Sequence, residues 1–213
     1  MVGVSRGTVS IWVRDIQLTP EQHDGLRARN PAHNGQRVGA RVRSERAREQ
    51  RLAWQADGRA DARRGDPLHV AGCMLFWGEG SKIRTQVQLA NSDPELVRFF
   101  LRFLRTCYGV ADSRVRIRCN LYADQLARQR EVERFWLDVL ELPPSSLRKS
   151  IVNNYSRSSK RKRRNTLPYG TCHLRVHSTE LAQKIFGAIQ EYGGFTNETW
   201  LDCLHGTAPP ARS

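Results

Sequence analysis

Three arginines stand at alternate positions, 114, 116 and 118, in the segment RVRIRCNLY. The residues between them are apolar, and successive side chains of a β-strand point to opposite faces. The pattern therefore predicts a strand over 114–122 that collects Arg114, Arg116 and Arg118 on one face. A guanidinium group binds a phosphate or a base edge through two hydrogen bonds, so this row is suited to a polyanion. Without such a partner the three like charges would repel one another.

A second cationic group is the run KRKRR at 160–164, in a polar segment beside three serines. The run fits either a flexible arm that closes on a phosphate backbone or a solvated loop. The neighbouring serines favour the arm. The run consists of Lys160, Arg161, Lys162, Arg163 and Arg164. The chain has 35 Lys and Arg against 21 Asp and Glu, a formal charge of +14. This excess indicates a nucleic acid as the leading partner, with an anionic membrane surface as the competitor.

Composition disfavours several other classes of protein. No run approaches the roughly 20 apolar residues of a bilayer span, and the N-terminus lacks the apolar core of a secretion signal, so we expect a cytoplasmic protein that makes no membrane contact. The five cysteines are scattered without a C-x-x-C pair, which predicts buried free thiols. Cys172, His173 and His177 make a poor zinc site, because Cys172 points away from His173 on a strand and a fourth ligand is missing.

The sequence Asp66-Pro67 marks a change from an Arg-rich and Ala-rich composition to alternating apolar segments. Residues 67–193 are therefore expected to form a packed α+β domain. Helical spacing and capping residues predict helices over 68–77, 95–108, 130–142 and 179–192. Period-two alternation predicts strands over 85–90, 114–122 and 170–177. Residues 194–213 are weakly patterned and are expected to form a weakly structured tail.

Residues 1–22 contain a Gly-Val-Ser turn and then a helix that Ser5 can cap, with Val9, Trp12 and Ile16 on one face. The segment GVSRGTVSIWVRDI resembles the second, recognition helix of a helix-turn-helix motif, whose first residues meet the bases. The candidate reading residues are Ser5, Arg6, Thr8 and Ser10. The motif would be partial, because the chain begins at the turn. An ordinary amphipathic helix is the alternative.

Residues 23–66 are interpreted as a basic helical linker. The stretch 35–64 is rich in Arg and Ala and nearly free of large apolar residues. Such a stretch predicts an exposed helix that is held by ion pairs three and four residues apart and cannot bury a core.

The segment VAGCMLFWGEGSK at 70–82 ends an apolar helix with Gly78-Glu79-Gly80. It resembles the LAGLIDADG signature of homing endonucleases and their non-cleaving relatives. In that family two signature helices pack across a two-fold axis, and each delivers one carboxylate to divalent metal ions beside the DNA. The resemblance implies that Glu79 binds Mg²⁺, that Lys82 helps to neutralise charge, and that the chain forms a homodimer. A core helix with a Gly-rich C-cap and a solvated Glu79 is the alternative.

The same resemblance covers roughly residues 68–192. It implies an α-β-β-α-β-β-α core with one inserted helix, in which the sheet forms a saddle over double-stranded DNA. Outward side chains of the strands would then read the major groove. The candidate contact residues are Arg84, Gln86, Gln88, Arg114, Arg116, Arg118, Arg175 and His177.

Two functions follow for a protein of this kind. One is a Mg²⁺-dependent DNA endonuclease that acts as a homodimer, which the presence of Glu79 favours. The other is a non-catalytic helix-turn-helix transcription regulator that uses the same fold to hold DNA, which the N-terminal helix favours. An RNA-binding protein ranks below both, because the strands lack the aromatic motifs of common single-strand RNA readers.

Overall fold

The computed structural model describes residues 3–12, 14, 16–28, 31–153 and 167–202. The chain divides into two compact units, residues 1–47 and residues 48–213. None of the described helices has both the length and the apolar character that a membrane span requires.

The first unit consists of α1 (Arg6–Trp12), α2 (Pro20–Ala28) and the beginning of α3 (Pro31–Ala62). The helix and cap predicted near the N-terminus are confirmed, because Ser5 Oγ accepts a 3.2 Å hydrogen bond from the backbone N–H of Thr8. The predicted apolar face of α1 stays exposed at Val9 and Trp12.

The second unit is an α+β fold, as expected, and its described residues form the rest of α3, four further α-helices, several short 3-10 helices and a four-stranded sheet. The helices are α4 (Pro67–Glu79), α5 (Pro94–Tyr108), α6 (Gln129–Leu140) and α7 (Thr179–Gly193). The strands are β1 (Val87–Asn91), β2 (Val115–Tyr122), β3 (Ile151–Asn153) and β4 (Thr171–Val176). The four helices and three strands predicted within 67–193 are confirmed, with ends that shift by at most about two residues.

The strands lie in the order β1-β4-β2-β3. Strand β4 is antiparallel to both β1 and β2, whereas β3 runs parallel to β2. Strand β3 is not predicted from the sequence, because three residues are too few to show an alternation. Between α4 and α5 the family arrangement implies two strands. The structure has β1 and, before it, a single antiparallel bridge between Gly80 and Leu89.

The core lies between one face of the sheet and the helices. Strand β2 alternates buried and partly exposed residues along its whole length, and β4 does the same in register with it. Helix α5 contributes the buried side chains Val97, Phe100 and Leu104 to this core from the side of the helices. Its ends are set by Asp93, whose carboxylate accepts hydrogen bonds from two backbone N–H groups, and by Gly109 in the left-handed conformation. The other face of the sheet is thereby left for polar side chains.

The expectation of an exposed linker is wrong for the second half of α3. Gly58 is buried against α7, and a Cβ atom at Gly58 would overlap the carbonyl group of Lys184. The side chain of Gln55 is also buried and donates a 2.7 Å hydrogen bond to Gln183. Glycines and amides therefore make this contact, which a search for large apolar side chains does not detect.

The expectation of a weakly structured tail is also wrong for its first part. A 3-10 helix, Glu198–Leu201, buries Trp200 and Leu201 against the core. Two isolated apolar residues gave too little periodicity to predict this short helix. Residues 203–213 lie outside the described part of the chain.

A buried histidine, His69, joins three helices of the core. Its Nδ1 atom lies 2.6 Å from the hydroxyl group of Tyr192 on α7, and its Nε2 atom lies 2.8 Å from that of Tyr108 on α5. Burial lowers the pKa of His69, and the raising effects of Asp61 and Asp66 are smaller. The folded core therefore holds the neutral ring.

This arrangement predicts a fold that loses stability in mild acid. The pKa of His69 is lower in the folded than in the unfolded chain, where it is about 6.5. The contribution of the neutral ring is therefore complete above pH 6.5 and is lost as the pH falls from there through the folded-state pKa. Urea unfolding between pH 5 and pH 8 should show this loss, and His69→Gln, which keeps polar atoms but does not titrate, should make it smaller. His177→Gln at an exposed position is the control; an equal reduction there would contradict the assignment.

Candidate nucleic-acid interface

The outward face of the sheet carries cationic and amide side chains from three adjacent strands. Cross-strand register places Arg175 of β4 between Gln88 of β1 and Arg116 of β2. The next row pairs Arg118 with His173. The arginine row predicted from β2 is thus confirmed as a feature of one face, and β4 widens it.

These side chains line a cleft of about 530 Å³. Its lining contains five arginines and two histidines and, among the described residues, no carboxylate. The arginines are Arg114, Arg116, Arg118, Arg148 and Arg175, and the histidines are His173 and His177. A cleft with this much positive charge and no internal counter-charge is suited to an anionic ligand.

Neutral acceptors hold two of these arginines in place. Gln88 Oε1 accepts hydrogen bonds from Arg175 Nε at 3.0 Å and Nη2 at 2.7 Å, and from Gln86 Nε2 at 3.1 Å. Arg116 Nη1 donates to the carbonyl oxygens of Ser113 and Val115. The contacts orient the guanidinium groups without neutralising them, so their charge remains available to a ligand.

Three buried polar atoms near the middle of this face have no hydrogen-bond partner: Arg118 Nε, His173 Nδ1 and Asn120 Oδ1. Asn120 Nδ2 lies 2.7 Å from His173 Nε2, so as placed the amide donates to Nε2 and the ring proton sits on Nδ1. Arg118 and His173 then both present unused donors. Burial lowers the pKa of His173, and the charges of Arg118 and Arg175 lower it further. An anion or another acceptor would satisfy these donors.

The remaining predicted DNA contacts fall in different places. Gln86 is buried and supports Gln88. Arg84 has its Nη1 atom 3.8 Å from Asp202 Oδ1. Ser5 and Thr8 lie on or beside α1, where their hydroxyl oxygens are 2.9 Å apart, and Arg6 and Ser10 belong to the same helix. The run Lys160 to Arg164 lies outside the described residues.

Sequence reasoning missed Arg148, an exposed residue of the cleft. Its backbone N–H donates a 2.8 Å hydrogen bond to the carbonyl oxygen of Ile117. This contact joins a short loop to β2 and brings the side chain to the arginine face. No local pattern in the sequence signals it.

Glu79 and Lys82 lie in the segment 70–82, which is called the signature segment below, and they have different surroundings. Glu79, the last residue of α4, is exposed, and Asn91 Nδ2 lies 3.4 Å from its Oε2 atom. Lys82 Nζ donates to three carbonyl oxygens at the end of α4, those of Phe76 at 3.0 Å, Trp77 at 2.9 Å and Gly80 at 2.6 Å. Burial lowers the pKa of Lys82, partly offset by Glu79. The structure thus gives Lys82 a helix-capping role.

The described residues contain no cluster of three or more His, Cys, Asp or Glu side chains that could hold a metal ion. Glu79 offers a carboxylate oxygen, which Mg²⁺ accepts as a ligand. A single carboxylate leaves most of the coordination shell to water. The residues therefore fit Mg²⁺ only if a second chain supplies another carboxylate.

Part of α4 remains uncovered. Ala71 and Gly78, seven positions apart and so on one side of the helix, are exposed, and Leu75 between them is partly exposed. By contrast, Gly72 contacts Phe103, and Trp77 stacks on Phe195 at a ring distance of 5.3 Å. The surface of α4 that the described residues leave free consists of these small and apolar side chains and part of Trp77, and it ends at Glu79.

Comparisons of the chain with protein-family models, with curated proteins and with solved structures found no match. Function is therefore argued from the geometry of these sites.

The capping role of Lys82 can be measured as stability. Lys82→Met keeps most of the apolar stem but leaves three carbonyl oxygens without the ammonium donor, so we expect a loss of about 1–2 kcal/mol in the free energy of unfolding. The exposed Lys149 provides the matched control, Lys149→Met, which should change stability by less than about 0.5 kcal/mol. Equal stabilities of the two variants in urea titrations would refute the capping role.

Proposed function

We propose that this protein binds double-stranded DNA through the outward face of its sheet. The observation that carries the proposal is the cleft in which five arginines and two histidines meet without a carboxylate among the described residues. Phosphates supply the missing negative charge, and guanidinium groups such as those that line the cleft bind phosphate oxygens and base acceptors of the major groove.

The chemistry of the cleft favours a duplex over a single strand. Proteins that bind single strands stack bases on aromatic side chains. The described lining of this cleft has guanidinium, imidazole, hydroxyl and aliphatic groups and no Phe, Tyr or Trp. The LAGLIDADG resemblance agrees with the proposal, because the sheet of that family forms a saddle over duplex DNA.

Two exposed arginines of the cleft test the proposal with little risk to the fold. Replacing both Arg114 and Arg148 by Gln should weaken binding to 20-bp duplexes of any sequence and should lower the salt dependence, d log K/d log[salt], by about 2 because two phosphate contacts are lost. Fluorescence anisotropy between 50 and 200 mM NaCl measures both quantities.

The matched control makes the same charge change on the other side of the sheet. Arg98 and Arg102 are exposed on α5, so Arg98→Gln with Arg102→Gln removes two cations away from the cleft. Equal effects of the two double variants would mean that net charge, and not this face, determines binding. Competition with duplex RNA distinguishes an RNA-binding protein.

Within this proposal, the exposed Glu79 favours a Mg²⁺-dependent endonuclease. A homodimer that packs the free surface of α4 against its copy would bring two Glu79 carboxylates together beside the DNA. When bound there, Mg²⁺ would polarise the phosphodiester. The side chains of the chain itself would bind the ion through Glu79 and hold the duplex through the arginine face.

The second candidate is a non-catalytic transcription regulator. It is favoured by the capped helix α1, whose exposed surface is available for contacts beyond those of the sheet. In this case the same arginine face holds the DNA, and Glu79 is a solvated residue at a helix end.

A cleavage assay separates the two candidates. With Mg²⁺ and a supercoiled plasmid library, the endonuclease is expected to nick or cut DNA, and Glu79→Gln should reduce the rate at least about 100-fold. Glu95→Gln removes another exposed carboxylate and should have no effect. Light scattering should detect a dimer with DNA; a strict monomer would exclude paired carboxylates, and binding without cleavage would favour the regulator.

A further inference from the structure

A second cationic site lies away from the cleft lining, where three arginines surround one carboxylate. Arg51 Nη2 donates a 2.8 Å hydrogen bond to Asp202 Oδ1. Arg48 Nε is 3.8 Å from Asp202 Oδ2, and Arg84 Nη1 is 3.8 Å from Oδ1. No other described carboxylate forms an ion pair with these guanidinium groups, so two positive charges in the cluster are not balanced.

The two elements that supply these arginines are well anchored. Arg48 and Arg51 lie three residues apart on the part of α3 that packs against α7, and hence on one side of that helix. Arg84 belongs to the connection between α4 and β1. The side chain of Arg51 is only 9 % exposed, and its Nε atom has no hydrogen-bond partner. A buried guanidinium group requires an anion beside it, since an unpaired buried charge costs several kcal/mol.

The carboxylate at this site belongs to Asp202. This residue follows the buried Leu201, and its side chain is 55 % exposed. A carboxylate has two oxygens and one negative charge, as the free oxygens of a phosphodiester do. The three guanidinium groups therefore accept either anion with the same donors.

The register of the sheet relates this cluster to the cleft. Arg84 precedes Val87 by three residues, and Val87 pairs with Val176, which in turn pairs with Val115. Arg114 and His177, both in the cleft lining, are the next residues at this end of β2 and β4. Along the chain, Arg84 therefore belongs to the same end of the sheet as these two cleft residues.

We propose that Arg48, Arg51 and Arg84 form a second phosphate-binding site, and that Asp202 occupies it as an internal substitute until a phosphate of the DNA backbone replaces the carboxylate. The inference rests on the proposed function for the identity of the ligand, though not for the binding of phosphate itself. In this role Asp202 competes with DNA and lowers the affinity of the protein for DNA.

The first test uses inorganic phosphate as the probe. Thermal unfolding of the full chain is compared in phosphate and in chloride at equal ionic strength. Phosphate should raise the Tm of Asp202→Asn more than that of the wild type, because no carboxylate occupies the site in this variant. Glu198→Gln removes an exposed charge from the same 3-10 helix and should respond like the wild type. Equal responses of all three proteins would overturn the proposal. If Asp202→Asn is unfolded in chloride, phosphate should restore the fold, and failure to do so would also overturn it.

The second test uses a 20-bp DNA duplex. Asp202→Asn should bind at least about threefold more tightly than Glu198→Gln, with a salt dependence steeper by about 1, and adding Arg84→Gln should abolish this gain. Equal affinities of the two single variants would overturn competition by Asp202. If phosphate raises the Tm of Asp202→Asn as expected but the protein binds no DNA, the anion site is supported and the DNA ligand is refuted. The two proposals therefore fail separately.

Discussion

The candidate site depends on a row of like charges that repel one another and that core packing holds on one face of the sheet. Packing against the helices requires Val115, Ile117 and their neighbours to point inward, so the alternating arginines must point outward. A shift of one residue in the register would bury the guanidinium groups, at a cost of several kcal/mol each. The core therefore enforces a concentration of positive charge that does not stabilise the fold.

The main chemical property of this face is its positive charge. Arg116 and Arg175 donate their hydrogen bonds to neutral oxygen atoms, which position the guanidinium groups and leave their charge uncompensated. Arg118 and His173 keep donors without partners in the same face. Orientation without neutralisation is the arrangement that a binding site for an external anion needs, whereas an internal ion-pair network would use carboxylates.

The signature segment shows how tertiary contacts change the meaning of a motif. Gly72 accommodates Phe103, Trp77 stacks on Phe195, and Lys82 caps the helix that carries it. Within this segment, the side chain of Glu79, the small residues Ala71 and Gly78 and part of Trp77 are left on the surface. The two proposed functions therefore differ in the role of one carboxylate, Glu79, and of one exposed helix surface.

The sequence by itself determined the α+β class, the positions of four helices and of three strands within 67–193, and the row of arginines on β2. Each of these depends on local periodicity and capping, which are properties of neighbouring residues. Only the tertiary structure decided that β4 adds Arg175 and His173 to that row, that a loop brings Arg148 to it, and that Asp202 meets arginines of α3. It also decided the burial of α3, which depends on Gly58 and amide groups instead of large apolar residues. These contacts join positions from 31 to 154 residues apart, and no local pattern encodes a pairing over such distances.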